Sequence, residues 1–236
     1  MTGFAEFPDL RFATSTRADG NMAFDWGERA EVEANRIRFL EKAGVDPRAV
    51  AFMSLEHTDT LQAVGRADRG KAFTADALMT NEPGVALFLH TADCLPAAFY
   101  DPTRHAIALA HLSWRSLDLG LAGKTLRCLI ERYDSDPADI RVSIGPSIRK
   151  QSYVFDEVSQ KDDARWRPHV SRTSDGKYSV DLAGFAAAEM RGIGVRNEHI
   201  EVSPMDTASA PDHFSHYRAV RNGEPEGRMA TVLALA

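Results

Sequence analysis

The chain has 236 residues, 44% hydrophobic and 26% charged, a balance that fits a globular protein with a sizeable apolar core. No stretch approaches the roughly 18–20 uncharged apolar residues of a membrane span. The N-terminal MTGFAEFPDLRF has neither the basic flank nor the apolar run of a signal peptide, so the cytoplasm is the expected compartment. The formal net charge is -6 with Lys and Arg scattered, which argues against a nucleic-acid partner, because phosphate-backbone binding needs a concentrated basic face.

No internal repeat, low-complexity tract or linker interrupts the chain, so residues 1–236 are expected to form one domain, a monomer or weak homo-oligomer. Asp25 and Gly27 precede a helical pattern with Val32, Ile37, Leu40 and Ala43 near one face, and Gly44 followed by Pro47 stops it. Ala49–Leu55 reads as a strand running into Glu56-His57. Asp76–Met79 is a short apolar piece closed by the Asn81-Glu82-Pro83-Gly84 turn. Val85–Leu89 is a continuous apolar run, the mark of a strand buried on both faces. Leu95–Tyr100 and Ala106–His111 follow as strands joined across Asp101-Pro102-Thr103-Arg104, where Asp and Pro suit the first two turn positions.

A helix is expected from Trp114–Ser116 to about Tyr133, with Leu117, Leu121, Thr125, Cys128 and Leu129 inward and Gly120 and Gly123 weakening it. Ile140–Ile144 reads as a strand entering Gly145-Pro146, and 156–177 as irregular and charged. An alanine-rich helix runs from Asp181 to about Met190, ending near Gly192 or Gly194. Strands at His199–Val202 and Met229–Leu235 complete a mixed α/β class.

Two cysteines, Cys94 and Cys128, are too few for a disulfide framework. Cys128 lies on the inner face of its helix and reads as a small buried hydrophobe. Cys94 stands differently. A symmetric turn centred on Pro102-Thr103 places it directly opposite His111, and opposed residues share a face with β-carbons about 4.5–5.5 Å apart. A sulfur and an imidazole nitrogen can then reach one metal ion, at about 2.3 and 2.1 Å. Pro96 strains this register, since proline belongs at an edge or a bulge. A third ligand is needed. His57, at a strand end, is the best placed, with His90, His105, His199, His213 and His216 as competitors. Three ligands with an open fourth position suit catalysis rather than structure.

Ser113, Trp114, Arg115 and Ser116 open the following helix, whose unpaired N–H groups and Arg115 guanidinium offer a phosphate or carboxylate pocket. Arg115 stacked on Trp114 or paired with Asp118 is the bland alternative.

Several segments, in order, resemble one family. They are Ala75-Asp-Ala-Leu-Met-Thr80, Pro83-Gly-Val85, Thr91-Ala-Asp-Cys-Leu-Pro96, Tyr100-Asp-Pro102 and His111-x-x-Trp-Arg115. Asn35-Arg36, Gly145-Pro-Ser-Ile148, Asp181-Leu182, Phe214-Ser215 and Gly227-Arg-Met229 add to them. Together they are similar to the YfiH-like laccase-domain family, and Ala-Asp-Cys-Leu-Pro with a downstream His-x-x-Trp-Arg is the specific part.

The resemblance implies a compact, four-layer αββα-type domain with mixed sheets and a zinc held by His57, Cys94 and His111. It also implies phosphorolysis of purine nucleosides (adenosine, inosine, guanosine, methylthioadenosine), with adenosine deamination in some members. Arg115, Ser113 and Ser116 would then meet phosphate. Asp93 would orient a ligand or act as acid/base. The chain departs from the family pattern at Leu55, at Ser113 and Ser116 around Trp-Arg, at Met205, and at Ser215-His-Tyr-Arg218.

The competing readings are three. One is a metal-free cysteine hydrolase using Cys94 and His111. Another is a zinc-binding module without turnover. The third is a copper laccase, disfavoured because eight histidines with no His-x-His pair suit no multicopper cluster.

Overall fold

A computed structural model describes residues 4–236. In chain order the first strands are β1 (Leu10–Thr14), β2 (Val50–Ser54), β3 (Leu61–Ala63), β4 (Ala72–Thr74), β5 (Ala77–Thr80), β6 (Ala86–Thr91) and β7 (Leu95–Asp101). They are followed by β8 (Ala106–Leu112), β9 (Arg141–Ile144), β10 (Val154–Phe155), β11 (Val170–Arg172), β12 (Tyr178–Val180), β13 (Ile200–Val202) and β14 (Met229–Leu235). The helices are α1 (Arg29–Lys42), α2 (Trp114–Asp118), α3 (Leu121–Tyr133), α4 (Leu182–Ile193) and α5 (His216–Asn222).

Two mixed sheets lie face to face. One has the order β1-β14-β6-β2-β4, the other β13-β9-β7-β8-β5-β3, and β10-β12-β11 form a small third sheet. Period-two alternation builds the layers. In β8, Ile107 and Leu109 enter the space between the sheets with Leu87, Leu89 and Leu233, while Ala106, Ala108, Ala110 and Leu112 face the helices. The small alanines let α3 and α4 pack closely on that face through Leu126, Leu129, Phe185 and Met190. The opposite sheet turns Val50, Phe88, Val232 and Ala234 outward to Phe39 and Leu40 of α1. The expected four layers, helix on sheet on sheet on helix, are therefore present.

Several expectations need correction. The helix foreseen from Trp114 to Tyr133 is two helices, because Gly120 takes a left-handed φ of 80° after the α2 terminus. In α1, Ile37 is 46% exposed and Phe39 takes the buried place. The irregular 156–177 segment contains β11 and is pinned by Trp166, which is fully buried and stacked on Phe185 with ring centroids 3.7 Å apart. β1, β3, β4 and α5 were not foreseen.

The β7–β8 hairpin has a different register from the one expected. Leu95 pairs with Leu112, Pro96 with His111 and Asp101 with Ala106. The connection is Pro102–His105, with His105 at φ 48° and the Asp101 carboxylate accepting from the backbone N–H groups of Thr103 and Arg104. Proline is tolerated at Pro96 because it stands near the start of β7, where pairing with β9 begins only at Ala97. Cys94 thus precedes the strand instead of facing His111 across it.

Candidate metal centre

Cys94 and His111 still meet. The ligand atoms of His57, Cys94 and His111 all lie within 4.8 Å of one another, the one such group of metal-binding side chains among the described residues. His111 ends β8 at 2% exposure. His57 stands in the loop after β2, and its ring centroid lies 4.9 Å from that of His111 with the planes at 82°. Two non-glycine residues with left-handed backbone flank the group, His57 at φ 60° and Asp93 at φ 84°. Such conformations cost about 1–3 kcal/mol each and persist where the surroundings impose them.

The side chain that holds the His57 backbone was missed in the sequence. Asp76, fully buried before β5, accepts from His111 Nδ1 at 2.8 Å through Oδ1. The same oxygen accepts from the His57 backbone N–H at 3.0 Å, and Oδ2 accepts from the Thr58 N–H at 2.8 Å and its hydroxyl at 3.0 Å. One carboxylate therefore fixes the His57 loop and holds His111 in the tautomer that leaves Nε2 available. Ala75-Asp-Ala was visible as a motif; that its carboxylate spans two ligand-bearing segments was not.

The electrostatics agree. Burial pushes the Cys94 thiol up, but the His111 ring beside it and hydrogen bonds from His111 and His57 prevail and bring it down to about 6. Burial alone would lower His111; the Cys94 thiolate and Asp76 raise it to about 9. Burial works against the Asp76 carboxylate too, yet His111 and Thr58 hold it down at about 2. A thiolate and a carboxylate around one buried imidazole form a pocket that favours positive charge. A thiolate with two imidazoles is also a borderline-soft donor set, and these residues fit zinc.

The group sits in a cavity of about 950 Å³ that extends under α1 and is also lined by Phe24, Trp26, Arg36, Phe52, His90 and Arg228. Its size is in the range of small-molecule sites. Phe24 and Trp26, 37% and 44% exposed, form an apolar lip with Ile37.

The other expected site residues lie elsewhere. Ser113 and Ser116 are buried and close a capping box: Ser116 N–H donates to Ser113 Oγ at 3.1 Å and Ser113 N–H donates to Ser116 Oγ at 2.8 Å, while the Ser116 hydroxyl donates to the His111 carbonyl at 2.9 Å. Arg115 stacks on Trp114 at 5.2 Å. None of the three lines the cavity, and the two hydroxyls are engaged in the helix cap. Asp93 is buried and accepts from Thr207 Oγ1 at 2.6 Å and the Tyr217 N–H at 2.7 Å. It anchors α5 and the 207 segment behind Cys94 and presents no free oxygen to the cavity.

The family described as multi-copper polyphenol oxidoreductase laccase matches residues 12–236. The chain belongs to this family. It is 29% identical over 219 residues to "Purine nucleoside phosphorylase YlmD" of Bacillus subtilis, covering 87% of this chain and 78% of that protein. It is 31% identical over 227 residues to the protein of the same name from Geobacillus stearothermophilus, covering 89% and 81%. The crystal structure of the latter organism's YlmD superposes with a TM-score of 0.88 at 29% identity, over 98% of this chain and 93% of that one. A Bacillus licheniformis protein titled YfiH gives 0.86 at 27% identity, over 98% and 94%. No helix is long and apolar enough to cross a membrane among the described residues.

Proposed function

We propose that this chain is a zinc-dependent purine nucleoside phosphorylase of the cytoplasm, taking adenosine, inosine, guanosine or methylthioadenosine and able to deaminate adenosine. The observation that carries this reading is the convergence of His57, Cys94 and His111 in a cavity of nucleoside size. The names of the relatives point to the same chemistry.

In phosphorolysis a phosphate oxygen bonds to the anomeric carbon as the bond to the purine nitrogen breaks. The base leaves with the electron pair and takes up a proton. When bound, zinc supplies a Lewis acid that polarises a substrate oxygen. His57, Cys94 and His111 would hold it, and Asp76 keeps the His111 ring aligned. The Phe24 and Trp26 rings offer the base an apolar surface at the mouth. The test is hypoxanthine release from inosine with and without phosphate, alongside metal analysis. Absence of phosphate-dependent base release from any purine nucleoside overturns the reading.

One further observation favours a second reading. Cys94, His111 and Asp76 form a thiolate–imidazole–carboxylate series, the arrangement of a cysteine nucleophile. Under that reading the metal-free protein alkylates rapidly at Cys94 and turns over acyl substrates. Zinc that blocks alkylation without being needed for turnover decides for it.

A further inference from the structure

The cavity contains a cation for which the protein provides no counter-ion. Arg36, on the inner side of α1, donates from Nε to the Met22 carbonyl at 2.8 Å. Among the described residues its terminal nitrogens have no acceptor and it makes no ion pair. The neighbouring Glu33 is already paired with Arg29 at 2.9 Å. Three rings fix the guanidinium plane: its central carbon lies 4.2 Å from the Phe24 centroid, 5.2 Å from Phe88 and 5.7 Å from Phe52. A half-buried arginine locked by aromatic rings, with its fork left open, is prepared for a planar or tetrahedral oxyanion.

Two further groups line the same cavity. His90, at the end of β6, lines the same cavity, and its Nδ1 is buried with no hydrogen-bond partner. Arg228, just before β14, lies over Trp26 at 5.1 Å and pairs through one nitrogen with Glu226 at 2.8 Å. Burial and then the positive charges of Arg36, His111 and Arg228 hold His90 down at about 3, and all four side chains line the one cavity. The carboxylates that line the cavity, Asp25 and Glu33, are exposed. Arg36 is therefore the cavity-lining cation that no carboxylate neutralises among the described residues.

We propose that Arg36, with His90 and Arg228, forms the subsite that holds a dianionic phosphate group beside the His57–Cys94–His111 centre. The proposal rests on the phosphorolysis reading and places its second substrate. It differs from the α2 start, where the sequence suggests phosphate, and the two sites are separable by substitution. Free phosphate and a nucleoside monophosphate share this chemistry, so both serve as probes.

The experiment uses the zinc-loaded full chain. Calorimetric titration with inorganic phosphate, and separately with inosine monophosphate, is run on wild type, Arg36→Gln, Arg36→Lys and Arg228→Gln, with zinc content and folding checked by metal analysis and circular dichroism. Phosphate affinity is expected to fall by about tenfold or more in R36Q and less in R36K, as suits loss of charge-assisted bonds. In turnover the phosphate KM rises while the inosine KM stays within about twofold. The tighter-held probe identifies the source of the phosphate group.

Unchanged affinity for both probes in folded R36Q overturns the proposal. Should R36Q not fold, R228Q decides on the same criterion. A wild type that binds phosphate through Arg36 but releases no base keeps the subsite and removes the phosphorylase reading. A wild type that turns over with an unaltered phosphate KM in R36Q does the reverse.

Discussion

Replacing Asp76 by Asn removes one charge and turns one acceptor into a donor, and the geometry says where the damage falls. If the amide NH2 takes the Oδ2 position, it meets the N–H groups of Glu56 and Thr58. If it takes the Oδ1 position, it meets only the His57 N–H and the His111 ring nitrogen. The second placement is cheaper, because His111 can adapt by changing tautomer: Nδ1 then accepts from the amide and Nε2 carries the proton. That tautomer cannot ligate. One buried N–H left unpaired costs about 1–3 kcal/mol, a fall in Tm of about 3–10 °C for a chain of this size measured without zinc. Loss of the orienting carboxylate lowers zinc affinity by about 10–100-fold, or about 1.4–2.7 kcal/mol. Competition against a chromophoric chelator, with thermal melts in parallel, measures both. An Asp76→Asn protein that holds zinc as tightly as wild type would refute the argument that this carboxylate sets the His111 tautomer.

Other substitutions test separate parts of the structure. Cys94→Ser should abolish stoichiometric zinc; at free zinc a hundredfold above Kd, chelation should lower the wild-type Tm by about 5–10 °C and leave the variant unmoved. Ser113→Ala removes the α2 cap and should cost about 1 kcal/mol without altering the phosphate KM; a raised KM would restore the α2 start as the anion site. Gly227→Ala places a methyl 2.5 Å from the buried Phe214 ring, so unfolding free energy should drop by about 1–3 kcal/mol. Burial raises the Glu189 carboxyl pKa between α3 and α4 against the pull of Arg127, so its charged form destabilises the fold. That contribution is favourable below the unfolded pKa and lost as pH rises through the folded one. Glu189→Gln should therefore raise Tm at pH 8 and have little effect at pH 4.

What the sequence revealed follows from how locally each feature is determined. Val85–Leu89, Ala106–His111 and Met229–Leu235 are buried on both faces, so unbroken apolar runs mark them wherever they sit. Leu10–Thr14 is mostly half-buried with Arg11 inside it, and Ala72–Thr74 is an exposed edge; neither run is long or apolar enough to stand out. Ile37 misled because an exposed isoleucine at a cavity lip has the same helical spacing as a core residue. The Cys94–His111 pairing came right for the wrong reason. The assumed symmetric turn put the register off by two residues, and the two side chains meet because Cys94 sits on the bend entering β7 rather than across the ladder. Asp76 and Arg36 were readable as motif letters only. Their roles depend on which donors and which missing carboxylates surround them in space, and no spacing rule encodes an absence.

The family's copper-laccase description and its relatives' phosphorylase names pull in different directions, and the ligand count bears on the phosphorylase reading proposed above. Electron relay through several coppers requires at least a second cluster of imidazoles within reach of the first. Among the described residues only His57 and His111 join a metal-binding group. His213 and His216 are engaged with Asp212 and Glu226, and His90 lies among the arginines. A lone thiolate-and-imidazole centre beside an uncompensated guanidinium suits the activation of one oxygen and the retention of one oxyanion. Under the proposed reading both serve group transfer to phosphate.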